Sequence, residues 1–205
     1  MRSLLFLDLE TARFDQSADR VVRLSTQLVT STGNVTYCRR VLPPAVGLSP
    51  PLAIGRKSTA IAKAKTASLD EVLNGFARQL NRADLVIGHD VERSLAAIVS
   101  AANHGGHRNL SSKLMPPKFG FDAGRRASIC TRQVAAEYLI FVGEPANAEA
   151  TNLPAIYHRI FGQSVPHPQD PTAAVSACQR LYQFLSDAQQ QLNIYFPSDI
   201  LCFED

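Results

Sequence analysis

The chain has 205 residues, of which 45% are hydrophobic and 19% are charged, and its formal net charge is +3. This balance argues against an intrinsically disordered chain, because such chains combine low hydrophobicity with a high net charge. The small net charge does not by itself select a class of partner. The four cysteines form neither a CxxC pair nor a zinc-type spacing, so we expect reduced thiols in a reducing compartment.

The apolar run at residues 3–7 ends at Asp8, which makes it too short for the core of a signal peptide. No other stretch approaches the length of a membrane span, so we expect no membrane partner and a cytoplasmic location. The sequence shows no internal repeat. We therefore predict a single domain over residues 1–193, followed by a C-terminal tail over residues 194–205.

Three strands are predicted in the first part of the chain. Residues 3–10 form a short apolar run, and residues 21–30 alternate in polarity with a period of two. The alternation resumes over residues 35–42 after a Thr-Gly-Asn turn, which is most simply an antiparallel meander. Residues 43–66 are rich in Pro, Gly and Ser and are predicted to form a surface connection.

Helices and short strands alternate in the rest of the chain. Ser68 and Glu71 match a capping box at the start of the first helix. The elements predicted after this helix are a strand at 84–88, a helix at 91–104, a loop at 105–126, a strand at 127–130, and helices at 131–139, at 153–161 and from Pro171 to about Leu192. This order predicts an α/β fold, in which three antiparallel strands and then parallel strands form a mixed sheet flanked by helices.

Asp8 and Glu10 are two residues apart on the first predicted strand, so their side chains leave the same face of the sheet. The pattern is open to two interpretations. In one, the strand has ended and both acids point into water. In the other, the pair binds Mg²⁺ or Mn²⁺, since these ions prefer oxygen ligands.

The segment LFLDLET at residues 5–11 resembles the first motif of the DEDDh 3′–5′ exonucleases, the family that includes the proofreading subunit of bacterial DNA polymerase III. Further segments resemble the later motifs in the family's order, and they extend the resemblance to about Leu185. These segments are DLVIGHDVERSLAAI, SICTRQVA, LPAIYHRIFG and VPHPQDPTAAVSACQRLYQFL. The resemblance implies a ribonuclease-H-like fold, in which four carboxylates hold two divalent ions and a His takes a proton from the attacking water.

The resemblance assigns a role to three residues and reveals two replacements. Asp8 and Glu10 match the first pair of metal ligands, and His167 matches the catalytic His. Ser94 and Thr172 stand where the family has its third and fourth carboxylates. A neutral hydroxyl does not supply the charge of a carboxylate ligand.

Asp90 and Asp170 lie near the two replaced positions, and each has two interpretations. Either acid replaces a missing metal ligand, or it caps the helix that follows it. Pro171 favours the capping role for Asp170, because proline suits the first helical turn.

Basic residues are concentrated in residues 56–65 and 108–132, as in grooves that follow a phosphate backbone. Solvation of long loops is the alternative explanation of this charge. The predicted nucleic-acid contacts are Thr11 and His89, which lie in the motif segments, and Arg125 and Arg126, which lie in the second basic segment. A structural role is the alternative for His89.

Two hypotheses follow. The first is a metal-dependent exonuclease, weakened by its lost ligands, that shortens single-stranded DNA or RNA from the 3′ end. The second is a non-catalytic relative that uses the same site to bind nucleic acid or a protein partner.

Overall fold

A computed structural model describes residues 2–13, 19–41, 66–114 and 127–192 of the chain. One six-stranded sheet has the strand order β4-β3-β2-β1-β5-β6. The strands are β1 (Leu4–Arg13), β2 (Asp19–Thr30), β3 (Gly33–Val41), β4 (Thr66–Ala67), β5 (Leu85–Gly88) and β6 (Ala127–Cys130). The helices are α1 (Leu69–Leu80), α2 (Val91–His104), α3 (Arg108–Leu114), α4 (Thr131–Phe141), α5 (Leu153–Phe161) and α6 (Ala173–Leu192).

The predicted mixed sheet is confirmed. β1, β2 and β3 pair in antiparallel fashion, while β5 runs parallel to both β1 and β6. β4 pairs in parallel with β3 at the opposite edge of the sheet. The carboxyl ends of β1, β5 and β6 therefore lie along the same side of the sheet, where the connecting segments bring polar residues together.

The register between β1 and β2 decides which side chains surround the acids of β1. Asp8 lies opposite Ser25 and Glu10 lies opposite Arg23. Directly opposed residues of an antiparallel pair project to the same face, so these four side chains share one face of the sheet. A bulge between Glu10 and Thr11 shifts the register beyond this point.

Helices cover both faces of the sheet. On one face, the apolar side chains of β1 and β2 pack against α1, α2 and α3, and the buried residues there include Leu5, Leu7, Leu24, Leu28, Phe76, Ile98 and Leu110. The opposite face carries Asp8 and Glu10 as well as a second core beneath α4, α5 and α6. That core includes Phe6, Ile87, Ile129, Val134, Ile156, Val175 and Leu181.

The capping box predicted at the first helix is confirmed. The Ser68 hydroxyl accepts a hydrogen bond from the Glu71 backbone N–H, and the Glu71 carboxylate accepts one from the Ser68 backbone N–H. Asn152 caps α5 in a similar way by accepting from Ala155, and Gly162 ends that helix with a left-handed backbone conformation. Such a conformation carries no steric penalty for glycine.

Three local predictions were wrong. The predicted loop at 105–126 contains α3, which buries Leu110 and Leu114. β4 falls at the end of the predicted surface connection. The apolar pattern of the last helix also predicts that Leu192 belongs to its buried stripe, but Leu192 ends α6 with 51% of its surface exposed. Within the described ranges, no helix has both the length and the apolar character needed to span a membrane.

Candidate functional site

Asp8 is a largely buried carboxyl group on β1. Burial raises its pKa above the ordinary value because the charged form loses hydration, and Glu10 raises it further. The charge of Arg23 acts in the opposite direction and lowers the pKa. The pKa of Asp8 is therefore raised even with the positive charge of Arg23 nearby.

Glu10 is more exposed than Asp8 and is paired with Arg23. The Arg23 Nε lies 3.4 Å from the Glu10 Oε2, with 27% of the Arg23 side chain and 53% of the Glu10 side chain exposed. The sequence motifs gave no indication of this cation. The alternation of polar and apolar residues in β2 does place Arg23 and Ser25 on one face of the sheet, but it does not show that this face carries the acids of β1.

The turn that precedes α6 lies beside these acids. The Ser25 hydroxyl donates a 2.8 Å hydrogen bond to the Pro171 carbonyl oxygen, and Ser25 is the residue directly opposite Asp8. The Asp170 Oδ1 accepts two hydrogen bonds from Thr172, at 2.8 Å from its backbone N–H and at 2.7 Å from its hydroxyl. The structure thus brings the replaced fourth position, Thr172, to the neighbourhood of Asp8 and gives Asp170 a cap-like role.

Asp90 and His167 are the only non-glycine residues in the described ranges with a left-handed backbone, at φ 74° and φ 48°. Such conformations are uncommon for residues with a side chain and concentrate at functional sites. His167 is exposed, and its carbonyl oxygen accepts a hydrogen bond from the Asp170 N–H in the turn before α6. Asp90 stands at the N-cap position of α2 without a capping side-chain bond, and its carboxylate lies 3.7 Å from Arg132.

Ser94 occupies the replaced third position in the first turn of α2. Its hydroxyl lies 3.4 Å from the Asp90 carbonyl oxygen, to which it donates, and its backbone N–H donates to the same oxygen. A helical serine often bonds in this way to the carbonyl four residues earlier. Ser94 and Thr172 are therefore both engaged within their own turns.

His89 lies within a buried polar network. Its Nε2 is 2.8 Å from the Thr151 carbonyl oxygen, and its Nδ1 is 3.0 Å from the Thr131 hydroxyl. A carbonyl only accepts, so Nε2 carries the proton and Nδ1 accepts from Thr131. Burial lowers the pKa of His89 to about 4, which keeps the ring neutral.

Cys178 extends this network towards the acids. Its Sγ is 3.5 Å from the Thr131 Oγ1. Burial raises the pKa of the Cys178 thiol to about 12, and the nearby charge of Asp8 raises it further. The motifs did not reveal this cluster, because its members come together only through the packing of α4 and α6 beneath the sheet.

The other predicted nucleic-acid contacts have different positions. Thr11 lies on β1 just past the bulge and is partly buried. Both ring nitrogens of His89 are bonded inside the protein. Arg125 and Arg126 lie outside the described residues, as do the basic segment at 56–65 and residues 115–126 of the second basic segment.

The side chains of the site do not fit a centre for two divalent ions. In the described part of the chain, no three side chains of the types His, Cys, Asp and Glu are grouped so that they could hold a metal ion. Glu10 is paired with Arg23, and Asp170 accepts from Thr172. Hydroxyl groups occupy the two positions from which the resemblance expects carboxylates.

Solved structures similar to this chain include exonucleases. One is a structure of exonuclease I that suggests how processivity is achieved, with a TM-score of 0.65 and 16% sequence identity over 94% of this chain. Another is E. coli exonuclease I in complex with a dT13 oligonucleotide, with a TM-score of 0.65, 15% identity and 94% coverage. A zinc-bound form of the E. coli exonuclease I complex with single-stranded DNA has a TM-score of 0.66, 16% identity and 94% coverage.

These similarities establish the fold, which is the ribonuclease-H-like α/β fold of the exonucleases. The chain corresponds to only 42% to 43% of the length of these three proteins. No protein-family model matches the chain. No curated protein matches it significantly either.

Proposed function

We propose that this chain is a nucleic-acid-binding protein related to the DEDDh 3′–5′ exonucleases, in which hydrolysis is lost or strongly reduced. Its ligand is a single strand, bound with its 3′ end beside Asp8 and the turn at 167–172. The observation that carries the proposal is the pair of internally bonded hydroxyl groups, Ser94 and Thr172, at two positions where the exonuclease motifs have carboxylates.

The fold and the polar edge of the sheet support the nucleic-acid ligand. Similar structures have been solved with single-stranded DNA and with an oligonucleotide. Arg132 extends along the same edge, where it lies 3.7 Å from Asp90 and 3.4 Å from the Thr151 hydroxyl. A single strand requires positive charge along its backbone, and the basic segments of the sequence supply additional cations.

The charge balance of the site supports the proposal that hydrolysis is lost or strongly reduced. Two divalent ions bring four positive charges, and two carboxylates balance only half of them. Because Glu10 already faces Arg23, the negative charge available to metal ions is smaller still. The hydroxyl groups of Ser94 and Thr172 add no charge.

A second candidate function is a slow exonuclease that depends on Mg²⁺ or Mn²⁺. The observation in its favour is the presence of Asp8 and Glu10 on one face of the sheet, next to the turn that follows His167. Magnesium is often held by one or two protein carboxylates together with phosphate oxygens and water, so a bound strand would add ligands.

Two measurements on the same preparation test these candidates. Fluorescence anisotropy measures binding of single-stranded DNA and RNA that carry the label at the 5′ end. Gel electrophoresis measures shortening of the same strands from their free 3′ ends with Mg²⁺ or Mn²⁺. We expect binding that weakens with salt, and no shortening beyond that of the matched control Asp8→Asn/Glu10→Gln. The gain-of-function variant Ser94→Asp/Thr172→Asp is expected to acquire shortening that requires Mn²⁺.

The outcomes separate the candidates. Shortening by the unmodified protein that the Asp8→Asn/Glu10→Gln change abolishes would establish the slow exonuclease. Absence of binding to both types of strand would reject the proposed function.

A further inference from the structure

Arg23 and the acids of β1 form a compact group of charges. Arg23 lies directly opposite Glu10 in the antiparallel register, and the neighbouring pair on that face is Ser25 with Asp8. The strand on the other side of Arg23 presents Arg40 at the directly opposed position. The face therefore carries a row of charges in the order Glu10, Arg23, Arg40, beside Asp8.

Arg23 pairs with one of the two acids directly. Its Nε is 3.4 Å from the Glu10 carboxylate, and Asp8 lies two residues from Glu10 on the same face of β1. The Nε atom is buried and makes no hydrogen bond with any part of the chain that the structure describes. The pairing with Glu10 is thus one of charge, held in place by the cross-strand register.

From this arrangement we infer that Arg23 is a resident counter-ion, which occupies the acidic pair Asp8 and Glu10 in place of a divalent metal ion. A guanidinium stays protonated at every pH at which the protein is folded, so its charge is always present. A divalent ion at the same carboxylates would be repelled by Arg23 at short range. Arg40 adds further positive charge on the same face.

The inference deepens the proposed function, because it names a residue of the chain that lowers metal affinity even where two acids survive. It concerns ion binding alone. The test of this inference is therefore independent of whether the protein binds a nucleic-acid strand.

Binding of Mn²⁺ to the full chain, measured by isothermal titration calorimetry without nucleic acid, tests this inference. Replacing Arg23 by Gln removes the charge and is expected to raise the Mn²⁺ affinity by about tenfold or more, since two like charges no longer compete. The increase is expected to disappear in the triple variant Arg23→Gln/Asp8→Asn/Glu10→Gln. Arg23→Lys keeps the charge and is expected to keep the low affinity of the unmodified protein.

Arg82→Gln is the matched control for a change in net charge, because Arg82 lies in the turn after α1 and is exposed. It is expected to leave Mn²⁺ affinity unchanged. If Arg23→Gln binds Mn²⁺ no more tightly than the unmodified protein, or if Arg82→Gln gains as much, the inference is overturned.

A second measurement tests the inference even if the Arg23→Gln variant does not fold. The nuclear magnetic resonance signal of the Arg23 Nε–H, assigned by its loss in Arg23→Lys, is followed while Mn²⁺ is added to the unmodified protein. Because the acids hold Arg23 rather than a metal ion, we expect the signal to keep its width at millimolar Mn²⁺. Selective broadening of this signal at micromolar Mn²⁺ would place the ion at the acids and refute the inference.

Discussion

His89 makes the stability of the protein dependent on pH. Burial holds its pKa at about 4, against an ordinary value of 6.5, while the hydrogen bond to Thr151 acts in the opposite direction. The charge of Arg132 lowers the pKa further, and that of Asp90 raises it. Between pH 6.5 and 4 the unfolded chain therefore binds a proton that the folded protein does not bind.

The free energy of unfolding must fall as the pH is lowered through this window, because the unfolded state is the one that gains the proton. For a pKa that changes from 6.5 to about 4, the loss between pH 8 and pH 4.5 is about 2.5 kcal/mol. Asp8 acts in the opposite sense. Its raised pKa lets the folded state hold a proton above pH 3.8, which adds stability as the pH falls.

Replacing His89 by Gln removes the titrating group and isolates its contribution. Urea unfolding followed by far-ultraviolet circular dichroism at pH 8 and pH 4.5 gives the free energy for both proteins. At pH 8 we expect the variant to be less stable by about 1 to 3 kcal/mol, because the contacts to Thr151 and Thr131 are disturbed. Between pH 8 and pH 4.5 the unmodified protein should lose about 2.5 kcal/mol more of its free energy of unfolding than the variant does.

The comparison between the two proteins cancels the contribution of Asp8 and of the exposed acids, which both proteins share. A difference in free energy that is the same at pH 8 and at pH 4.5 would refute the buried, neutral state of His89. It would mean that the ring is protonated equally easily in the folded and unfolded chains.

Two further predictions concern hydrogen bonds that position helices. Replacing Ser68 by Ala removes the capping box of α1 and is expected to lower the free energy of unfolding by about 1 kcal/mol, measured by urea unfolding, whereas an unchanged value would contradict the cap. Replacing Ser25 by Ala removes the donor to the Pro171 carbonyl and is expected to cost about 1 to 2 kcal/mol. The exposed Ser176→Ala is the control for the second prediction, and an equal effect in both variants would argue against the Ser25 contact.

Local patterns predicted most of the fold because each element has its own signal. The capping residues Ser68 and Glu71 mark the start of α1. A short apolar run marks β1, and a period-two alternation marks β2 and β3. The helix α3 was missed because it has only seven residues and follows two glycines. Its one signal was the spacing of Leu110 and Leu114, four residues apart and both buried. The two-residue strand β4 is too short to show any period.

The candidate site was only partly predictable. The spacing of Asp8 and Glu10 was sufficient to put both on one face, because this follows from strand geometry alone. The position of Arg23 depends on the register between β1 and β2, which shifts at the bulge between Glu10 and Thr11. His89 contacts Thr131 and Thr151, which are 42 and 62 residues away, and no local pattern encodes such partners.

The hydrogen bond between Ser25 and Pro171 joins residues 146 positions apart, so the acidic face is completed only when the two ends of the domain meet. During synthesis β1 and β2 emerge long before α6. Asp8 and Glu10 therefore lack the neighbouring turn until the last part of the domain has folded. Loop closure over such a distance slows folding. A fragment that ends before Pro171 would keep Asp8 and Glu10 but lose the turn that lies beside them. Successive deletions from the carboxyl terminus should therefore show an abrupt loss of ligand binding at this point.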